Sequence, residues 1–212
     1  MISARGLTFA YRRGRPPVLD ALDLDLPRGA LTTLTGPSGT GKSTLLYLLA
    51  LLLAPTAGRI LWDGVAVERL ADAERSRLRA AHSGFVFQDA MLDPARTVLD
   101  NVCEPAVFAG LTRREAHARA VPLLTSLGVG HRTDHRPGEV SGGQAQRVAL
   151  CRALLTGPDV VFGDEPTGNL DDEAAHLVWD VLRDRAAQGA TVVVATHDRR
   201  LAEQADHRVV LT

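Results

Sequence analysis

The chain has 212 residues, 45% hydrophobic and 23% charged, with 24 Lys and Arg against 25 Asp and Glu for a formal net charge of −1. This length suits one domain with a sizeable core and an inserted subdomain, and the balanced charge gives no bulk attraction for nucleic acid or an anionic membrane. Two cysteines, Cys103 and Cys151, have neither metal-ligand spacing nor disulfide-framework density, so reduced thiols of a cytoplasmic protein are expected.

Short alternating runs over Ile2 to Ala10 and Val18 to Leu26, separated by a basic turn at 12–17, predict antiparallel strands. Tyr11 closes the first run, where its ring either stacks on an adenine base or is a half-buried edge tyrosine. The run Leu31 to Thr35 predicts a short strand, and after it come Gly36, Pro37, Ser38, Gly39, Thr40, Gly41, Lys42, Ser43 and Thr44, which match G-x-x-x-x-G-K-[ST] at every fixed position. Its glycines permit a nest of inward N–H groups for phosphate oxygens, Lys42 adds a cation for the β- and γ-phosphates, and the Ser43 hydroxyl suits Mg²⁺. A glycine-rich surface turn is the bland alternative. The strand before the loop and the helix-forming run after it count against that alternative.

No charged-then-apolar leader opens the sequence, and the longest apolar run, Leu45 to Ala54, stops at Pro55. The run is too short to cross a bilayer and predicts a helix buried on all sides, so any membrane role needs a partner. Ala57 to Gly64 predicts a further hairpin turning at Asp63-Gly64, and 66–81 predicts a charged helix. Gly84 to Phe87 reads as a buried strand delivering Gln88 to the nucleotide crevice, where its amide oxygen would meet Mg²⁺ or the attacking water, or as an ordinary strand end. From Met91 to Arg136 the pattern is helical, with Pro94, Pro105, Pro122 and Gly128 separating short helices.

Ser141, Gly142, Gly143 and Gln144 precede a helix expected over Ala145 to Leu155; Ser141 would cap it, leaving glycine N–H groups as a second anion site that one subunit could offer to another. A glycine-rich helix cap is the alternative. Asp159 to Gly163 predicts a buried strand ending in Asp164, which reads as the Mg²⁺-holding carboxylate, and Glu165, which reads as the group polarising the attacking water. A helix through about Ala187 and a strand over Ala190 to Ala195 follow. His197 comes next, able to hydrogen-bond a γ-phosphate or to serve structurally. Alternation of strand and helix after the loop predicts an α/β fold with a mainly parallel sheet.

These pieces, in this order, resemble the nucleotide-binding subunit of an ATP-binding cassette (ABC) transporter over essentially the whole chain. The family's phosphate loop corresponds to 36–44, its glutamine loop to Gln88, its signature to Ser141–Gln144, its magnesium aspartate and catalytic glutamate to Asp164 and Glu165, and its switch histidine to His197. Its dimer-contacting aspartate corresponds to Asp171 and its adenine-stacking aromatic to Tyr11. The string Asp164 to Asp171, with Thr97 to Val102, is most similar to the branch of lipoprotein-release, macrolide- and peptide-export and cell-division ATPases.

The resemblance implies a P-loop NTPase core with an N-terminal antiparallel β-subdomain (1–87 and 145–212) and an inserted helical, signature-bearing subdomain (88–144). It implies ATP and Mg²⁺ as ligands, with Ser43, Gln88 and Asp164 around the metal and Lys42, Gln88, Glu165 and His197 in catalysis. The implied partners are a second cassette, identical or a paralogue, and an integral membrane permease at the inner face of the cell membrane, with no nucleic acid. Three departures stand out: Val140 replaces the signature's common leading leucine, Met91 to Thr97 differs from the usual partner-contacting stretch, and no regulatory domain follows the last strand. Competing functions are a soluble cassette ATPase acting on DNA or ribosomes, disfavoured by the lack of a coiled-coil insertion or second cassette, and a nucleotide-gated assembly module, disfavoured by Glu165.

Overall fold

The computed structural model describes residues 1–12 and 14–212; Arg13, part of the predicted basic turn, lies outside them. The alternating N-terminal runs form strands β1 (Ile2–Phe9) and β2 (Leu19–Leu26), antiparallel with Ile2 opposite Leu26 and Phe9 opposite Leu19. Strand β3 (Ala30–Thr35) leads through the glycine-rich loop into helix α1 (Lys42–Leu49). Strands β4 (Ala57–Trp62) and β5 (Val65–Ala66) form the expected hairpin, with Asp63 and Gly64 both at positive φ as a two-residue turn of this hand demands. Helix α2 (Asp72–His82) and strand β6 (Ser83–Val86) follow, then α3 (Val98–Cys103) and α4 (Arg113–Ser126). The remainder is α5 (Gly142–Leu154), β7 (Val160–Asp164), α6 (Asp172–Ala187), β8 (Thr191–Ala195), a short α7 (Arg199–Ala202) and β9 (His207–Val210).

Two sheets result. The antiparallel one runs β2-β1-β4-β5; the other, β6-β7-β8-β3-β9, is parallel at every pairing. Because side chains alternate along a strand, β7 and β8 bury apolar residues on both faces. Val161, Val192 and Val194 join a core with α3, α4, α5 and α6, whereas Phe162, Val193 and Ala195 join one with α1 and the antiparallel sheet. The parallel sheet is thus sandwiched, and its strand ends are held rigid by packing from two sides.

Four expectations need correction. The apolar run after the loop is not a helix to Ala54: α1 stops at Leu49, Leu51 turns to φ 59° and Leu52 is 41% exposed. The Leu52 and Leu53 N–H groups both donate to the Tyr47 carbonyl, closing the helix end six residues before Pro55, which could not continue it. Helix α2 begins at Asp72 rather than Ala66, because Ala66 pairs with Leu61 and Val67 N–H donates to the Ile60 carbonyl. Pro122 does not separate helices but lies inside α4 on its exposed side, where the helical hydrogen bond it cannot donate is lost on the face open to solvent. Strand β9, unforeseen, pairs with the free edge of β3 and places Leu211 against the phosphate loop.

Candidate functional site

The parallel register aligns the strand ends: Val86 lies opposite Gly163, Asp164 opposite Ala195, and Ala195 opposite Leu34. The residues that follow β6, β7, β8 and β3 therefore emerge along one carboxyl edge, the place where open α/β sheets hold ligands. Gln88, Asp164, Glu165, His197 and the phosphate loop all sit on that edge.

Two of the loop's glycines are required by their surroundings. Gly36 has φ 144° and a Cβ there would lie 2.2 Å from the Leu211 carbonyl oxygen, while Gly41 has φ 91° and its Cβ would lie 2.9 Å from the Val18 side chain. The Lys42 ammonium folds back over the loop and donates to the Gly36 and Pro37 carbonyls, each at 2.9 Å. Gly41 caps α1 with no side-chain partner, so the first-turn N–H groups and the positive helix end face the loop's concavity, as anion binding demands. The Tyr11 ring, 64% exposed, is set edge-to-face against Phe9 at 4.9 Å and its hydroxyl lies 2.9 Å from Thr44 Oγ1. An aromatic face is thereby fixed beside the loop.

Asp164 is only 3% exposed and both its oxygens are occupied: Ser43 Oγ donates to Oδ1 and the Tyr47 hydroxyl to Oδ2, each at 2.9 Å. Burial, the bond to Asp164 and that carboxylate's charge push the Tyr47 phenol up to about 12, so it stays a donor. Among the described residues no trio of His, Cys, Asp or Glu forms a metal set. A hydroxyl and one carboxylate beside a phosphate loop nonetheless fit Mg²⁺, a hard cation bound through one or two carboxylates plus substrate phosphates.

Glu165 follows at φ 49°, a left-handed conformation that costs a non-glycine residue about 1–2 kcal/mol. It is clamped there by its N–H donating to the Ala195 carbonyl at 2.9 Å and by Gly168 N–H donating to its carbonyl at 3.1 Å. Strain held by its neighbours at a strand end is a mark of a functional position. It turns the carboxylate toward His197, whose Nδ1 lies 2.9 Å away and whose ring is otherwise exposed.

Gln88 is exposed in a bend just beyond β6, and its segment is tied down from α5. Gln146 Nε2 donates to the Phe87 carbonyl at 2.9 Å, and the Arg152 guanidinium donates to the Ala90 and Met91 carbonyls, each at 2.8 Å. Ser141 caps α5 in a reciprocal capping box with Gln144, at 3.2 and 3.0 Å, and Gly143 abuts Leu170 in the loop before Asp171. Asp171 itself caps α6 by accepting from Ala174 N–H at 2.8 Å. Among the described residues no hydrogen bond joins Ser141–Gln144 to the phosphate loop. The sequence reading missed Tyr47, Gln146 and Arg152, whose roles arise only from contacts between distant segments.

A phosphate loop after β3, a hydroxyl–carboxylate pair from α1 and β7, and an acid–histidine pair at the next strand ends define a P-loop nucleoside-triphosphate-binding domain. Residues 19–168 match the family model described as ABC transporter. The chain belongs to this ABC transporter family. It is 45% identical over 209 residues to the lipoprotein-releasing system ATP-binding protein LolD of Xanthomonas oryzae pv. oryzae, covering 97% of this chain and 86% of that one. It is 44% identical to LolD 2 of Caulobacter vibrioides (100% and 94% covered) and 42% to the macrolide export ATP-binding/permease protein MacB of Marinobacter nauticus (99% and 33%). Among solved structures, the dimeric bacterial ABC transporter cassette MJ0796 superposes with a TM-score of 0.93 at 33% identity, covering 100% and 94% of the two chains. A dimeric post-hydrolysis state of the same cassette, bound to ADP and Pi, gives 0.94 at 32% identity with the same coverage.

Proposed function

We propose that this chain is the ATP-hydrolysing subunit of a transporter of the lipoprotein-release or macrolide-export type, working as a pair of cassettes on a membrane permease. The observation that carries the reading is the convergence of the Ser43–Asp164 and Glu165–His197 pairs, each at 2.9 Å, on the carboxyl edge that bears the phosphate loop. The loop N–H groups and Lys42 hold the β- and γ-phosphates, and Tyr11 stacks on the base. Ser43, Asp164 and the Gln88 amide hold Mg²⁺, which when bound neutralises charge on the phosphates. Glu165 orients and polarises the attacking water while His197, steadied on its Nδ1 side by Glu165, supports the γ-phosphate. Catalysis is then positioning plus electrostatic stabilisation.

The second cassette supplies Ser141, Gly142, Gly143 and Gln144 over the γ-phosphate, with Asp171 at the contact between subunits. Support comes from the dimeric form of the superposed cassettes and from the separation of signature and phosphate loop within one chain. For the permease, support comes from a hollow of about 370 Å³ beside the Gln88 segment, lined by Phe85, Phe87, Met91, Pro105 and Phe108 together with Glu104 and Arg152. Met91 and Phe108 are 64% and 72% exposed there. No helix among the described residues is long and apolar enough to cross a membrane, so in this reading the chain attaches to the inner face through that hollow.

Phosphate release by the purified chain, with ATP and Mg²⁺, is the test. Turnover should be present in the parent and lost with nucleotide binding in Lys42→Ala. Equal rates in the two proteins would refute the site.

A further inference from the structure

Tyr47 lies four residues beyond Ser43 on α1, so the two side chains leave the same face of the helix. Both end on one buried carboxylate, with Ser43 on Oδ1 and Tyr47 on Oδ2 of Asp164. A carboxylate pinned at both oxygens cannot turn without losing a hydrogen bond to a charged group. The pin is itself packed against other rings. The Tyr47 ring centroid stands 5.7 Å from that of Phe85 and 6.5 Å from that of Phe87, and those two rings are 4.2 Å apart. An apolar residue could fill the same volume but would leave Oδ2 without its donor.

We propose that Tyr47 is a positioning residue for the divalent cation: its hydroxyl fixes the rotation of the Asp164 carboxylate so that the Oδ1 edge meets Ser43 and the nucleotide phosphates. The inference rests on the reading of Ser43 and Asp164 as cation-holding residues. Lys42 and the loop N–H groups bind the phosphates without help from Tyr47. Its contribution therefore falls on metal-assisted binding and leaves metal-free binding alone. Partners that orient a metal-holding carboxylate contribute about tenfold or more to metal affinity.

The variant Tyr47→Phe removes the hydroxyl and keeps the ring against Phe85 and Phe87. Binding of a fluorescent ATP analogue is followed in chelator and then across a Mg²⁺ titration, with folding checked by circular dichroism. Affinity in chelator should match the parent, while the Mg²⁺ concentration for half-maximal enhancement rises about tenfold. In an Asp164→Asn background the same change should add nothing, because the partner it positions is already altered. Superimposable Mg²⁺ curves for parent and Tyr47→Phe overturn the proposal. So does an equal loss with and without Mg²⁺, which marks a packing role. A parent showing no Mg²⁺ enhancement overturns the cation reading of Ser43 and Asp164 and the proposal with it, so the two failures are distinguishable.

Discussion

His197 Nδ1 and Glu165 Oε2 lie 2.9 Å apart, and the same oxygen accepts the His197 backbone N–H at 3.3 Å. One carboxylate oxygen thus accepts a backbone N–H and touches a ring nitrogen of the segment after β8, while the backbone of Glu165 is clamped in its left-handed conformation. The two residues form one unit.

Their mutants should accordingly fail to add. Glu165→Gln keeps an acceptor for His197 but loses the basicity that draws a proton from water, and turnover should fall by about 10²–10⁴-fold with ATP still bound. His197→Ala should also lower turnover. The double variant should be little slower than Glu165→Gln alone, as expected of groups acting together. Single-turnover phosphate release on the four proteins measures this, and multiplicative losses would show that the residues act separately.

Much of this arrangement was legible in the sequence because its signals are local. Glycines at 36, 39 and 41, apolar strands ending in polar residues, and the alternation in Ile2 to Ala10 each declare themselves within a few neighbours. What stayed hidden depends on contacts between distant segments. Strand β9 is only four residues long and is recruited by the free edge of β3, and nothing near Pro122 signals that a helix continues through it. Tyr47 in the apolar run from Leu45 reads as a core residue until the fold brings Asp164 to its hydroxyl.

Asp171 would carry two separable burdens in the proposed dimer. As the cap of α6 it accepts from Ala174 N–H at 2.8 Å, so Asp171→Ala should cost about 1 kcal/mol in denaturant unfolding. Asp171→Ser should restore most of that stability, since serine caps nearly as well. If the carboxylate is also a contact between cassettes, both variants should weaken ATP-dependent dimerisation alike. Dimerisation that tracks stability instead would limit Asp171 to capping.

Acid should weaken the Asp63 turn by removing its charge. The Arg28 guanidinium, hydrogen-bonded to it, and the terminal ammonium hold the Asp63 carboxyl well below the usual carboxylate range. A depressed folded value stabilises above the unfolded pKa of about 3.9, and the gain is lost as pH falls through the folded value. These groups are half exposed, so the contribution should be no more than about 1 kcal/mol. Asp63→Asn, which tolerates the φ of 49°, should be slightly less stable at pH 7. The gap from the parent in urea melts should close as pH drops below about 4. A constant gap would mean the turn, and not the ion pairs, sets the difference.

The last prediction concerns which chain completes the ATP site. A Cβ built at Gly142 meets nothing within 4 Å, and an acid in the first turn of α5 favours the helix, so Gly142→Asp should fold normally while placing a carboxylate where a neighbour's γ-phosphate would dock. In a Glu165→Gln background, where ATP-bound pairs should persist, Lys42→Ala would damage both phosphate loops of a homodimer and Gly142→Asp both signatures. Neither variant alone should dimerise with ATP. Mixed, the heterodimer gathers both lesions into one site and leaves the other with an intact loop facing an intact signature, so sizing at high protein concentration should recover some mixed dimer. A Gly142→Asp protein that dimerises as well as its parent would refute the shared site.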